Sequence, residues 1–250
     1  MTATVKSTIQ GALRTFGLQL ISLPAHTARY EYVYPLATYA PWNSAAEFVS
    51  TYKLIQRNTL VDIYRCWELW MLAQQTAKRE GAILEVGVWR GGTGALMAKS
   101  ALLAGSNSPV YLCDTFEGVV KAGSQDTDYK GGEHADTSPA IVEDLLRTLN
   151  ITNVRILKGV FPNETAHLLE PGARFKLCHI DVDVYQSAKD VMGWIWERMV
   201  PGGIVVYDDY GFKECEGITK YVNEQLTESD RLVLHNLNGH AVVIKNPKST

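Results

Sequence analysis

The stretch AILEVGVWRGGTG, Ala82 to Gly94, decides the fold. Ala82–Val86 is too short for a helix and has the Val/Ile/Leu character of a buried strand. Gly87 and the Gly91-Gly92 pair follow at once, then the helix-like stretch Thr93–Leu103. Strand, glycine turn and helix form the opening unit of an open α/β sheet, where ligands bind beyond the carboxyl ends of the strands. Glycines there remove side chains where the backbone must approach a ligand. Thr93 is expected to cap the helix.

Outward from this stretch the pattern repeats. Further short apolar runs lie at Val110–Cys113, Val154–Leu157, Lys176–Ile180 and Gly203–Tyr207. Helix-like stretches lie at Ala140–Leu149, Glu164–Leu169, Ser187–Met199 and Glu214–Leu226. Such alternation predicts a parallel sheet covered on both faces. Arg231–Leu237 and His240–Lys245 flank Asn238-Gly239, a hairpin signal. The expectation is therefore an α/β fold with a mostly parallel seven-stranded sheet that ends in an antiparallel hairpin. The polar loop Glu117–Ser138 is long enough to be a functional lid.

Upstream, residues 1–80 read differently from 81–250 and are expected to form an N-terminal helical and aromatic cap or lid. Asn43–Lys78 reads as mainly helical, with Leu60, Ile63, Tyr64, Trp67, Trp70 and Met71 on one core-facing stripe. The aromatic segment Tyr30–Trp42 reads as a lid, a dimer contact or plain core.

Length and charge narrow the function. The chain has 250 residues, 46% hydrophobic and 20% charged, with a formal net charge of −3. That charge has no basic surplus for nucleic acid, and no apolar run reaches membrane-helix length. Cys66, Cys113, Cys178 and Cys215 are scattered and read as reduced, buried thiols of a cytoplasmic protein.

The glycine loop lacks the dinucleotide spacing, since Gly87 is followed by Val88, Trp89 and Arg90, and GxxxxGK[ST] is absent. An acid at the strand end suits a cofactor with an amino group and a ribose but no phosphate. Glu85 would hold the polar end of S-adenosylmethionine, and Asp114, ending the next strand, its ribose hydroxyls. Arg90, Thr93 and Thr115 join Gly87 as cofactor-site candidates, with Gly159 and Val160 on the adenine side.

The strongest chemistry lies in HIDVDVYQS (His179–Ser187) and VVYDDYG (Val205–Gly211). Asp181 ends one strand; Asp208 and Asp209 end its expected neighbour. Three converging carboxylates repel unless a cation neutralises them or some are protonated. Oxygen ligands favour Mg²⁺ or another hard divalent cation. A cation there would acidify a small acceptor's hydroxyl. Asp181, which also faces the cofactor, is the first candidate base, with His134 and His179 as rivals.

LEVGVWRGGTG, CDTFEG (Cys113–Gly118), KGVFPNET (Lys158–Thr165), DVDVY and YDDYG together resemble the macrocin O-methyltransferase family, over about 83–226. The resemblance implies a Rossmann-like methyltransferase fold, S-adenosylmethionine, Mg²⁺ bound by Asp181, Asp208 and Asp209, a sugar hydroxyl of a natural product as acceptor, and a homo-oligomer. Where the family carries glycine between its two acids, this chain has Val182, which leaves the role of Asp183 open. A phenolic acceptor, a cofactor-binding protein without catalysis and an NAD(P) oxidoreductase are the alternatives.

Overall fold

The computed structural model describes residues 9, 11–18, 30 and 38–247. The chain divides into two compact units, Met1–Tyr39 and Ala40–Thr250. In the first, residues 11–15 are helical. Tyr32 and Tyr34 of the aromatic segment lie outside the described residues.

The second unit is a seven-stranded sheet flanked by helices. Its strands are β1 (Ala82–Val86), β2 (Val110–Asp114), β3 (Val154–Lys158), β4 (Phe175–Ile180), β5 (Met199–Tyr207), β6 (Arg231–His235) and β7 (Ala241–Lys245). Their order is β3-β2-β1-β4-β5-β7-β6. Neighbours from β3 to β5 pair in parallel, while β7 runs antiparallel to both β5 and β6. The expected hairpin is present, but β7 is threaded between β5 and the edge strand β6. Its connection spans residues 236–240 rather than Asn238-Gly239 alone, with Gly239 at φ +100°.

The six helices are α1 (Ala46–Ile55), α2 (Ile63–Thr76), α3 (Gly92–Leu103), α4 (Pro139–Thr148), α5 (Tyr185–Ile195) and α6 (Glu216–Gln225). Leu69, Trp70, Ala95, Leu96 and Val142 pack with Ile83, Leu112 and Leu177 on one sheet face. Ala188, Val191, Ile218 and Val222 pack with Leu84, Cys178 and Tyr207 on the other. Complete burial of both faces explains why β1 and β4 are mainly apolar rather than alternating, with Glu85, Lys176 and His179 as buried exceptions.

Asn43–Lys78 is mainly helical as expected, in two helices, because Asp62 caps a new one by accepting from Tyr64 N and Arg65 N. Three other expectations need correction. With that break, Leu60 falls in the connecting turn, 63% exposed, and the fully buried face of α2 is Cys66, Leu69, Trp70 and Ala73. Glu164–Leu169 contains only a 3₁₀ turn, Ala166–Leu168. Thr93 does not cap α3; Gly91 does, at φ +85°.

The loop after β2 is strapped down. Asp126 accepts from Gly123 N and from Tyr185 N at the start of α5, both at 2.9 Å. Lys121 pairs with Asp190 at 2.6 Å, and Ser187 Oγ donates to Val120 O.

Gly87 carries the tightest backbone approach at the cavity. At φ +85° an added Cβ would lie 1.7 Å from the Asp181 carbonyl oxygen. Gly105 has a similar φ of +83° with nothing within 4 Å. Gly105→Ala should cost about 1 kcal/mol of stability, and Gly87→Ala more than about 4 kcal/mol. Equal denaturation midpoints for the two variants would contradict this packing.

Candidate functional site

The carboxyl ends of β1, β2, β4 and β5 open into one cavity of about 330 Å³. Gly87, Val88, Thr93, Asp114, Thr115, Gly159 and Val160 line one part. Asp181, Asp183, Asp208, Asp209, Tyr129 and His134 line the other, with Leu60, Val61 and Phe212 also in the wall.

Asp114 organises the first part. Its Oδ2 accepts from Val88 N at 2.6 Å and Trp89 N at 2.9 Å, and its Oδ1 from Phe116 N at 2.6 Å. The glycine loop is thereby tied to the end of β2, and Asp114 lines the cavity. Thr115 Oγ1 donates to Gly118 O at 2.9 Å. Val160 N donates to Glu164 Oε2 at 2.8 Å.

Two cofactor candidates sit elsewhere. Arg90 pairs with Asp136 at 2.6 Å and lies over the Trp89 ring, outside the cavity lining. Glu85 is fully buried within the sheet; its Oε1 lies 2.9 Å from His179 Nδ1, its register partner on β4. Glu85 Oε2 has no partner. Each of the two is instead engaged by an ionic partner, Asp136 for Arg90 and His179 for Glu85.

In the second part, one oxygen from each of Asp181, Asp208 and Asp209 falls within 4.8 Å of the others. Arg65, on α2, is their counter-charge. Its guanidinium donates closely to Asp208 Oδ2, reaches Asp209 Oδ1 at 3.2 Å and is steadied by Asp62 at 2.9 Å. Asp208 Oδ1 meets His240 Nε2 at 2.9 Å and His179 Nε2 at 3.4 Å.

These surroundings split the acids. Burial opposes ionisation of Asp208, but hydrogen bonds from His179 and His240 and the charge of Arg65 hold its carboxyl well below the usual range. Burial, reinforced by Asp208, pushes Asp181 and Asp209 well above it. Burial also raises Asp183, against a hydrogen bond from Tyr129. Burial works against a charged His179, yet the bonds to Asp208 and Glu85 raise it to about 10. With both ring nitrogens on carboxylates and the ring buried, His179 is not placed as the base. His134 does line the cavity; its Nε2 lies 3.4 Å from Tyr129 Oη, which donates to Asp183 at 2.8 Å.

The donors fit a hard divalent cation. They are all carboxylate oxygens, and a cation among them would favour ionisation of Asp181 and Asp209. Arg65, Tyr129 and His240 were not singled out from the sequence. Arg65 had a readable signal: it is a charged residue inside an aromatic helical stripe, three residues after Asp62. The other two depend on contacts across long sequence separations.

A glycine loop, an acid ending β2 and a carboxylate set ending β4 and β5 define a Rossmann-like O-methyltransferase fold. It superposes on the O-methyltransferase NovP with TM-score 0.64, at 23% identity over 76% of this chain and 83% of that one. More specifically, residues 49–238 match the macrocin-O-methyltransferase (TylF) family, and the chain belongs to that family. A tetracenomycin-type rhamnosyl 4'-O-methyltransferase from Streptomyces olivaceus is 29% identical over 54% of this chain and 55% of its own. Mycinamicin III 3''-O-methyltransferase from Micromonospora griseorubida is 28% identical over 63% of this chain and 69% of its own. The chain thus spans only about half the length of the first of these relatives.

Because folding raises Asp181 and Asp209, their ionisation costs stability as pH rises above the ordinary carboxylate range. A cation binding the ionised acids would offset that cost. Excess Mg²⁺ should therefore raise the melting temperature more at roughly pH 8 than at roughly pH 5. A shift independent of pH, or none at pH 8, would contradict the assignment.

Proposed function

We propose that the protein is a Mg²⁺-dependent O-methyltransferase that moves the methyl of S-adenosylmethionine to a hydroxyl of a small metabolite, a sugar of a glycosylated natural product. One observation carries this reading: a single cavity joins the glycine loop and Asp114 to the carboxylate set. Family membership and sugar O-methyltransferases among the relatives support it. A cytoplasmic, homo-oligomeric enzyme, with residues 1–80 serving as a cap, belongs to the same proposal.

When bound, S-adenosylmethionine supplies an activated methyl, and a divalent cation held by Asp181, Asp208 and Asp209 supplies the Lewis acidity that lowers the pKa of an acceptor hydroxyl. The residues do the rest. Asp114 and the backbone at Gly87, Gly159 and Val160 orient the donor. Leu60, Val61 and Phe212 shield the cavity from water and offer apolar contact to the acceptor. Asp181 would take the proton of the acceptor hydroxyl, so that the oxygen is free to receive the methyl that the donor's sulfur gives up. Alignment supplies much of the rate, because the methyl is already activated.

A second route for the proton has an observation of its own. Asp183, Tyr129 and His134 form a connected polar line in the cavity wall. The two routes separate by mutation. Asp181→Asn should lower kcat/KM by at least about 100-fold, while Asp183→Asn and His134→Gln should cost less. Full activity in Asp181→Asn would refute its role as base and ligand. Labelled methyl transfer to a panel of glycosylated acceptors is the assay. Activity should vanish with EDTA and return with Mg²⁺; turnover that survives EDTA would refute the cation.

A further inference from the structure

Ionisable side chains continue from Asp208 in the cavity wall into the sheet behind it. Five form one unbroken line through the sheet. Glu85 Oε1 meets His179 Nδ1 at 2.9 Å, and His179 Nε2 meets Asp208 Oδ1 at 3.4 Å. The same Asp208 oxygen meets His240 Nε2 at 2.9 Å, and His240 Nδ1 meets Glu68 Oε2 at 2.6 Å. Beyond it, Asn236 and Asn238 of the β6–β7 turn donate to Glu68. Both imidazoles and Glu85 are 0% exposed.

The line draws on β1, β4, β5, the start of β7 and α2. Glu85 and His179 are register partners. His240 precedes Ala241, the partner of Tyr207, and so stands beside Asp208. Buried polar groups cost free energy unless every one is bonded, and apolar pairs of similar volume would serve packing as well. What the line achieves is specific to Asp208. An aspartate at a cavity wall can rotate about its last bond. Here Oδ1 is held back into the sheet by two imidazoles from the strands on either side of β5. Oδ2 is bonded by Arg65 instead, and Asp208 and Arg65 both line the cavity.

We propose that His179 and His240, braced by Glu85 and Glu68, are positioning residues that present one oxygen of Asp208, Oδ2, to the divalent cation and thereby set the site's cation affinity. The proposal rests on the cation reading above. It extends the site to residues that touch neither cation nor acceptor. It also wires the C-terminal hairpin into the site: Asn236 and Asn238 hold Glu68, Glu68 holds His240, and His240 holds Asp208.

The test is Mn²⁺ binding, read by electron paramagnetic resonance on the full chain, with S-adenosylhomocysteine affinity measured alongside. Wild type should bind Mn²⁺. His240→Leu should bind it about 10–100-fold more weakly, with S-adenosylhomocysteine affinity unchanged. His240→Gln keeps a donor towards Asp208 and should recover most of the loss. Unchanged Mn²⁺ affinity in His240→Leu would overturn the positioning role while leaving the cation site standing. No Mn²⁺ binding by wild type would instead overturn the cation reading, and this proposal with it. Should His240→Leu fail to fold, Glu68→Gln removes the brace one bond further out. It should weaken Mn²⁺ by roughly threefold or more, and wild-type affinity in that variant would overturn the proposal.

Discussion

The crowding of four carboxyl groups at the carboxyl ends of β4 and β5 is the constraint on which the site depends. Asp181, Asp183, Asp208 and Asp209 face one cavity. Arg65 reaches two of them, and two buried imidazoles reach one. Asp208 therefore stays ionised while burial and mutual repulsion raise the other three. Such a cluster holds one fixed anion, with three carboxyl groups around it that become anions only against burial and repulsion. That is a suitable environment for a divalent cation and for a carboxylate that takes up a proton.

The topology delivers this crowding. Because β1, β4 and β5 are parallel neighbours, their carboxyl ends share one edge of the sheet. Gly87 allows the β1 turn to press against the Asp181 carbonyl, bringing the donor loop and the acids into one cavity. The reversal of β7 carries His240 back to the same edge. Helix α2 covers that corner and supplies Arg65 and Glu68 from one face, three residues apart. The sheet order, the glycine turn and α2 are thus required together.

Much of the fold was legible because both sheet faces are buried. Ala82–Val86 and its four parallel counterparts stand out as apolar runs too short for helices, and the Asn238-Gly239 hairpin announces itself. The convergence of Asp181, Asp208 and Asp209 was legible for a related reason: Asp181 and the Asp208-Asp209 pair each come straight after such a run. Individual roles were harder to read. Glu85 ends its strand as a cofactor ligand would, yet the register places His179 beside it, a relation no local pattern encodes. Arg90 sits in the glycine loop but is drawn outward by Asp136, 46 residues away. His240 acquires its partners only because β7 is inserted beside β5. Spacing along the chain shows where side chains leave the sheet. It does not show which ones meet.

The most direct test of one cavity serving both donor and cation is a crystal structure with S-adenosylhomocysteine and Mn²⁺, with manganese located by anomalous scattering. The account predicts the ion among Asp181, Asp208 and Asp209, with the nucleoside in the same cavity against Asp114. Manganese bound elsewhere, or a nucleoside outside that cavity, would contradict it.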